Sequence, residues 1–394
     1  MSDFGPMEGG GPLEKAIRDL ARMLTSQGPI NWEFARQLAL MTANEGETEA
    51  NPDPLARVRL EELLRVAELH IEEATGLPLS TTGGLLSVRT VTRSDWAIRT
   101  LQAWKSLLET LATALGKSAA EQPMMVELAN DPMAKLLGNL PQALAPLLFG
   151  IQVGSMVGQL ATRAMGQYDL PVPRPAGDEL LMVPVAIDGF AQDWTLAVDE
   201  VRLWVCLHEI AHHAVLSRPH VRARLDSLMR DYVNAFEPDA SSLEDRLATF
   251  DPTDLSSLQQ TFSSPEVLLG DTQSEGQRQA MVPLTALLSA VVGYVDHVMD
   301  TVGTRLIASY GPLTEALRRR RVEDAEGTAF VARLLGVSLD KAAYERGRAF
   351  VSGVVERAGE EGLARLWHSA RELPTPAEVA APGLWLARID LPDV

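Results

Sequence analysis

From Val201 to Leu216 the chain is apolar on every side except for Arg202, His208, Glu209, His212 and His213. No Gly or Pro interrupts the segment, so it reads as a helix, and a helix that is apolar all round has to be buried. The fold must therefore supply enough other elements to cover one helix completely. A chemical condition follows too. Ionisable side chains sunk in apolar surroundings persist only when paired, hydrogen-bonded or bound to a metal, so the imidazoles and the carboxylate here need partners from elsewhere in the chain. With 394 residues, the chain can build such a core as one large unit or as two fused ones.

The rest of the pattern is also helical. Leu13, Ile17, Leu20, Ala21 and Leu24 recur at helical spacing. Asn31-Trp32-Glu33 opens a second helix through Ala43 with Asn31 as N-cap, and Asn51-Pro52-Asp53-Pro54 caps a third from Leu55 to Thr75. Ser80 to Gly84 reads as a loop, Val88 to Thr92 as a short strand, and Ser94-Asp95-Trp96 as the start of another helix. Leu140 to Met165 is long and apolar enough to resemble a membrane span. Gln142, Gln152, Gln159 and Arg163 would be costly in lipid, whereas Gly150, Gly154, Ser155 and Gly158 suit close helix packing, so a buried helix is expected.

A Pro-rich connection from Gln167 to Asp178 marks a candidate boundary. Leu180 to Ile187 reads as a strand interrupted by Pro184, and Asp199-Glu200 as the start of the helix carrying His208. Further helices are expected from Leu225 to Phe236, from Met281 to Val302, and around 325–335, 339–358 and 361–367, with two more helix starts at 251–254 and 263–266. The expected fold is mainly α with little β structure. Residues 1–12 form a flexible tail, 13–166 an N-terminal helical region, and 167–394 a zinc-binding catalytic region that can form one compact unit with it.

His208-Glu209-Ile210-Ala211-His212 is an HExxH motif on that buried helix. Positions i and i+4 share a helix face, so His208 and His212 can direct ring nitrogens at one Zn²⁺ about 2.0–2.1 Å away. Such an ion acidifies a bound water and polarises a carbonyl, and Glu209 is placed as the general base of peptide or amide hydrolysis. His213 points about 100° away around the helix, which suits a supporting or surface role. His220, after Pro219, is expected beyond or near the end of the helix, in a surface or capping role. The continuation from His212 to Arg218 lacks the Gly and His of the HExxHxxGxxH form, so the third ligand must come from elsewhere.

The candidate segment is Val291 to Asp300, where Asp296, His297 and Asp300 interrupt an apolar helix. Asp296 is the preferred third ligand. Asp300, one turn on and on the same face, would accept a hydrogen bond from a ligand histidine in an arrangement like the ExxxD of gluzincins. His297 is the alternative third ligand, because imidazole suits zinc. Tyr294 is either an oxyanion donor or a core tyrosine.

These residues carry a resemblance. Leu203 to Glu209, Gly293 to Asp300, Glu372-Leu373-Pro374-Thr375 and Gly166 to Pro171 together resemble a family of uncharacterised bacterial zincin-like metallopeptidases, over most of the chain from about Asn31 onward. Some relatives have Glu-Gly-His where this chain has Val292-Gly293-Tyr294, so a glutamate ligand does not carry over there, whereas the aspartate positions do. The resemblance implies a mostly helical zincin-like fold, an intracellular location and a hydrolase role. Some members are named after deazaflavin-cofactor biosynthesis.

Charge narrows the partners. The net charge of −18 opposes binding to phosphate backbones or anionic lipid, so nucleic acid and membrane are excluded as expected partners, leaving a peptide or small amide substrate. Arg318 to Arg321, at the end of a helical pattern, read as cations solvated near a helix C-terminus. The single cysteine, Cys206, cannot form an intrachain disulfide, and the acidic, Gly-rich start lacks a signal-peptide pattern. A cytoplasmic protein is expected. A scaffold with a structural or vestigial zinc site, and a hydrolase of small-molecule amides, are the alternatives.

Overall fold

The computed structural model describes residues 28–120, 132–236, 273–323 and 331–392. The expected tail at 1–12, the helix at 13–24, the helix starts at 251–254 and 263–266, and most of 325–335 lie outside the described residues.

Local sequence sets most element boundaries. Helix α1 (Trp32–Ala43) starts where the Asn31 side chain accepts the Phe34 N–H at 3.1 Å. Helix α2 (Pro54–Thr75) starts at an Asp53 N-cap, with Pro54 in the first turn, and ends on Gly76 at φ 62°, a left-handed position that glycine takes without steric cost. Strand β1 (Ser87–Thr90) leads into α3 (Arg93–Ala103), whose N-cap Thr92 accepts the Asp95 N–H. After α4 (Lys105–Ala120) and α5 (Pro132–Arg163), strand β2 (Glu179–Met182) pairs in parallel with β1, from Ser87 opposite Glu179 to Thr90 opposite Met182. Among the described residues this two-stranded sheet is the only one, so the fold is mainly α.

The strand expected from Leu180 to Ile187 stops at Met182. Pro184 opens helix α6 (Pro184–Asp193) instead, since a proline in the first helical turn loses no hydrogen bond and its fixed φ already suits the helix. His220 lies beyond the end of the helix that carries His208, as expected, in the first turn of α8 (Pro219–Asn234).

Helix α7 (Val198–Leu216) is the covered helix that the sequence demanded, with every residue from Leu203 to Leu216 buried. Helices α2, α6, α8 and the long α9 (Glu275–Leu306) pack around it. Asp199 and Glu200 sit in its first turn, where negative charge complements the helix dipole. Contacts of α2 with α7, and of β1 with β2, cross the Pro-rich connection after residue 166.

Two helix pairs approach closely through glycine. On α5, a Cβ at Gly154 would stand 2.5 Å from the Ala35 carbonyl oxygen of α1. Where α9 crosses α11 (Lys341–Ala364), a Cβ at Gly293 would stand 2.2 Å from the Gly347 carbonyl carbon. Among the described residues α9 is the one helix long and apolar enough to cross a bilayer, and 67% of its most apolar stretch is buried inside the fold. Helix α10 (Tyr310–Glu323) follows it, and short helices α12 (Pro376–Ala380) and α13 (Pro382–Ile389) close the chain against α11.

Candidate metal centre

Helix periodicity places His208 and His212 on one face of α7, and their ring centroids are 4.3 Å apart. Both line a cavity of about 140 Å³ whose walls include Met165, Tyr168, Trp204 and Asp296. Each ring is braced. Trp204, one turn earlier, stacks on His208 at 4.8 Å and 19°, and Tyr168 stacks on His212 at 6.2 Å and 16°. His212 Nδ1 lies 3.1 Å from the His208 carbonyl oxygen. A carbonyl can only accept, so Nδ1 carries the proton and the lone pair sits on Nε2, the nitrogen a metal would take. The donor chemistry of this pair fits zinc. Among the described residues no three His, Cys, Asp or Glu side chains stand close enough to hold an ion as they are placed.

Glu209 is fixed from outside its helix. Its Oε2 accepts the Gln167 and Tyr168 backbone N–H groups at 2.7 and 2.9 Å, while Oε1 lies 3.4 Å from His208 Nδ1. The carboxylate is 1% exposed and sits directly beneath Gly166, where a Cβ would come within 2.3 Å of Glu209 Cδ. Only glycine allows the strand-like segment to lie that close. The Trp96 indole N–H donates to the Gly166 carbonyl at 2.7 Å and holds the segment from the far side. Burial pushes the Glu209 carboxyl up to about 8 against the pull of the two amides.

The same segment organises the neighbouring groups. The Tyr168 hydroxyl pairs with His213 Nδ1 at 3.0 Å, and burial pushes His213 down to about 4, so it is neutral. Asp169 is exposed yet lines the cavity and accepts the Met165 N–H at 2.6 Å, and desolvation on the cavity side raises its carboxyl to about 6 against the pull of the Arg320 charge. Buried Arg174 lies over the rings of Trp96 and Trp104 and donates to Thr100 Oγ1 at 2.7 Å.

The three residues singled out on α9 separate. Asp296 faces the cavity with His208 and His212. His297 turns to the other side, where Nε2 lies 3.1 Å from Glu360 Oε1 beside Thr75 and Tyr294, as two consecutive helix positions about 100° apart require. Asp300 is exposed and accepts the Tyr310 hydroxyl at 2.8 Å, so its expected bond to a ligand histidine is replaced by one to tyrosine. Tyr294 is a core residue set edge-on to Trp367 at 5.5 Å. Arg320, read from sequence as solvated, is half-buried on the cavity wall.

Sequence reasoning missed Gly166, Gln167, Tyr168, Asp169 and Trp96. The first four fall in a segment whose family resemblance was visible but whose chemistry was not.

Residues 30–386 match the profile of the Zincin-like metallopeptidase family. The chain belongs to that family. Membership accords with a zinc-type centre built on HExxH, since a zincin-like family implies a metal, typically zinc. No curated protein matches this zincin-like chain. A crystal structure from Chloroflexus aurantiacus, described as a provisional hydrolase with a novel fold, superposes with a TM-score of 0.60 at 24% identity, covering 92% of this chain and 100% of its own. At that identity the likeness establishes a shared fold.

Proposed function

We propose that this zincin-like chain is a cytoplasmic zinc-dependent hydrolase of peptide or small amide bonds, with His208, His212 and Asp296 holding the metal and Glu209 as general base. The observation that carries this reading is the pair of HExxH imidazoles facing one cavity, with His212 held in the tautomer that leaves Nε2 for a metal.

Bound there, zinc supplies the charge that polarises an amide carbonyl and makes water nucleophilic near neutral pH. The chain's own residues do the rest. Glu209 keeps Oε2 on the Gln167 and Tyr168 amides, so the carboxylate cannot rotate away, and Oε1, on the His208 side, takes the proton from the attacking water. Trp204 and Tyr168 fix the planes of the two imidazoles and limit the entry of further water. Asp169 sits on the same wall.

Replacing Glu209 by Gln tests the assignment. The amide preserves shape, so zinc content should persist while turnover of a peptide-amide substrate falls by roughly 100-fold or more, within the range typical of a lost general base. Wild-type turnover in that variant would refute Glu209 as base.

A second reading, a non-catalytic scaffold with a vestigial site, draws on Glu209 Oε2 being shared between two backbone amides beneath Gly166. It expects Glu209→Gln to lower stability and leave no turnover to lose.

A further inference from the structure

We infer that Arg320 is the recognition site for a substrate carboxylate, so that the chain acts on amides that carry a free carboxylate near the scissile bond. The inference rests on the hydrolase reading for the identity of the reaction, but not for the binding itself.

Helix α10 is polar and mostly solvated, yet Arg320 leaves that pattern. It is half-buried and lines the cavity that holds His208, His212 and Asp296. Its guanidinium lies 5.4 Å over the Phe190 ring, and Nη2 donates to the Arg163 carbonyl. These two anchors fix the plane of the fork from different elements, α6 and α5. Arginine carries five N–H donors, so one bond to a carbonyl orients the group without exhausting it, and the planar fork matches a carboxylate by two parallel N–H···O bonds.

The chain as a whole repels anions, with a net charge of −18. An arginine turned into the centre against that background acts locally, as a positive point inside a cavity whose histidines are uncharged as ligands. The cavity also holds Asp169, whose carboxyl the Arg320 charge pulls down against the effect of desolvation, so an incoming carboxylate shares the guanidinium with it. Asp169 accepts the Met165 N–H, and Asp296 is assigned to the metal. The remaining wall sets Trp96, Trp104, Leu160, Leu170 and Leu317 beside the polar Arg163 and Gln167. A wall of that kind, with Arg320 oriented by its two anchors and Arg163 also on the lining, fits a small substrate with an apolar body and a terminal carboxylate, such as the C-terminal end of a short peptide.

Trp96, Trp104 and Trp204 line the cavity, so occupancy can be read by tryptophan fluorescence without turnover. N-acetyl-dialanine and its C-terminal amide are titrated into the full-length protein, metal-free and zinc-loaded. The free acid should bind at least about tenfold more tightly than the amide, a difference of about 1.4 kcal/mol. Arg320→Gln should remove that preference while leaving the weak binding of the amide unchanged, and Arg320→Lys should restore only part of it, because the charge returns without the fork. Equal binding of acid and amide by the wild type, an undiminished preference in Arg320→Gln, or no saturable response to either probe would each overturn the proposal. The two ideas fail separately. A carboxylate preference without hydrolysis of any amide would sink the hydrolase reading alone, and equal hydrolysis of acid and amide substrates would sink the carboxylate site alone.

Discussion

Adding one methyl to Gly166 is the smallest change that reaches Glu209. A Cβ there would meet the Glu209 carboxylate carbon at 2.3 Å, and since that carboxylate is pinned by two amides, either the segment or the glutamate must shift. Gly166→Ala should destabilise the protein by about 1–3 kcal/mol, as overpacking of a buried site does, and should abolish turnover with zinc still bound. Chemical denaturation and metal analysis on one preparation check both. A Gly166→Ala protein with wild-type stability and activity would show that the segment does not hold the base. At this scale the sequence revealed what depends on helix spacing. His208, Glu209 and His212 declare themselves because i and i+4 share a face, and Asp296 and His297 part company for the same reason. Tyr168, Gln167 and Arg320 reach the site only through packing of elements far apart in sequence, and no local pattern encodes that.

Among elements, the loop before β1 is tied to the loop before β2 by one carboxylate. Asp178 accepts hydrogen bonds from the Ser80 hydroxyl, the Thr81 N–H and hydroxyl, and the Thr82 N–H. Burial alone would raise its carboxyl, but these donors, the Thr82 hydroxyl foremost, hold it well below the usual carboxylate range. A depressed carboxyl contributes stability above its unfolded value, and that contribution is lost as pH falls through the acid range. Asp178→Asn should therefore cost about 1.5–3 kcal/mol at pH 7, the range for hydrogen bonds to a charged group, and show a weaker loss of stability on acidification than the wild type. Urea unfolding at pH 7 and in mild acid measures it, and identical pH profiles for the two proteins would contradict the tie. Element boundaries were legible where a cap wrote them, as at Asn31 and Asp53. Leu180 to Ile187 was misjudged because Pro184 serves equally as the end of a strand and the first turn of a helix. The partner of β2, about ninety residues earlier, has no local signature.

For the whole molecule, the covered helix α7 explains why the fold is helical and large. An apolar helix bearing His208, Glu209 and His212 needs neighbours on every side, and α2, α6, α8 and α9 provide them. That much followed from periodicity and burial. Which face of α9 would meet the histidines did not, because its apolar residues surround the polar ones on both sides, and only the fold turns Asp296 inward and His297 towards Glu360. The decisive measurement is zinc affinity by chelator competition in single variants of the full-length protein. The wild type should bind about one zinc per chain, as a single three-ligand site does. His208→Ala, His212→Ala and Asp296→Ala should each bind far more weakly, while His297→Ala and Asp300→Asn keep wild-type affinity. Loss of zinc in His297→Ala with wild-type affinity in Asp296→Ala would contradict the assigned centre.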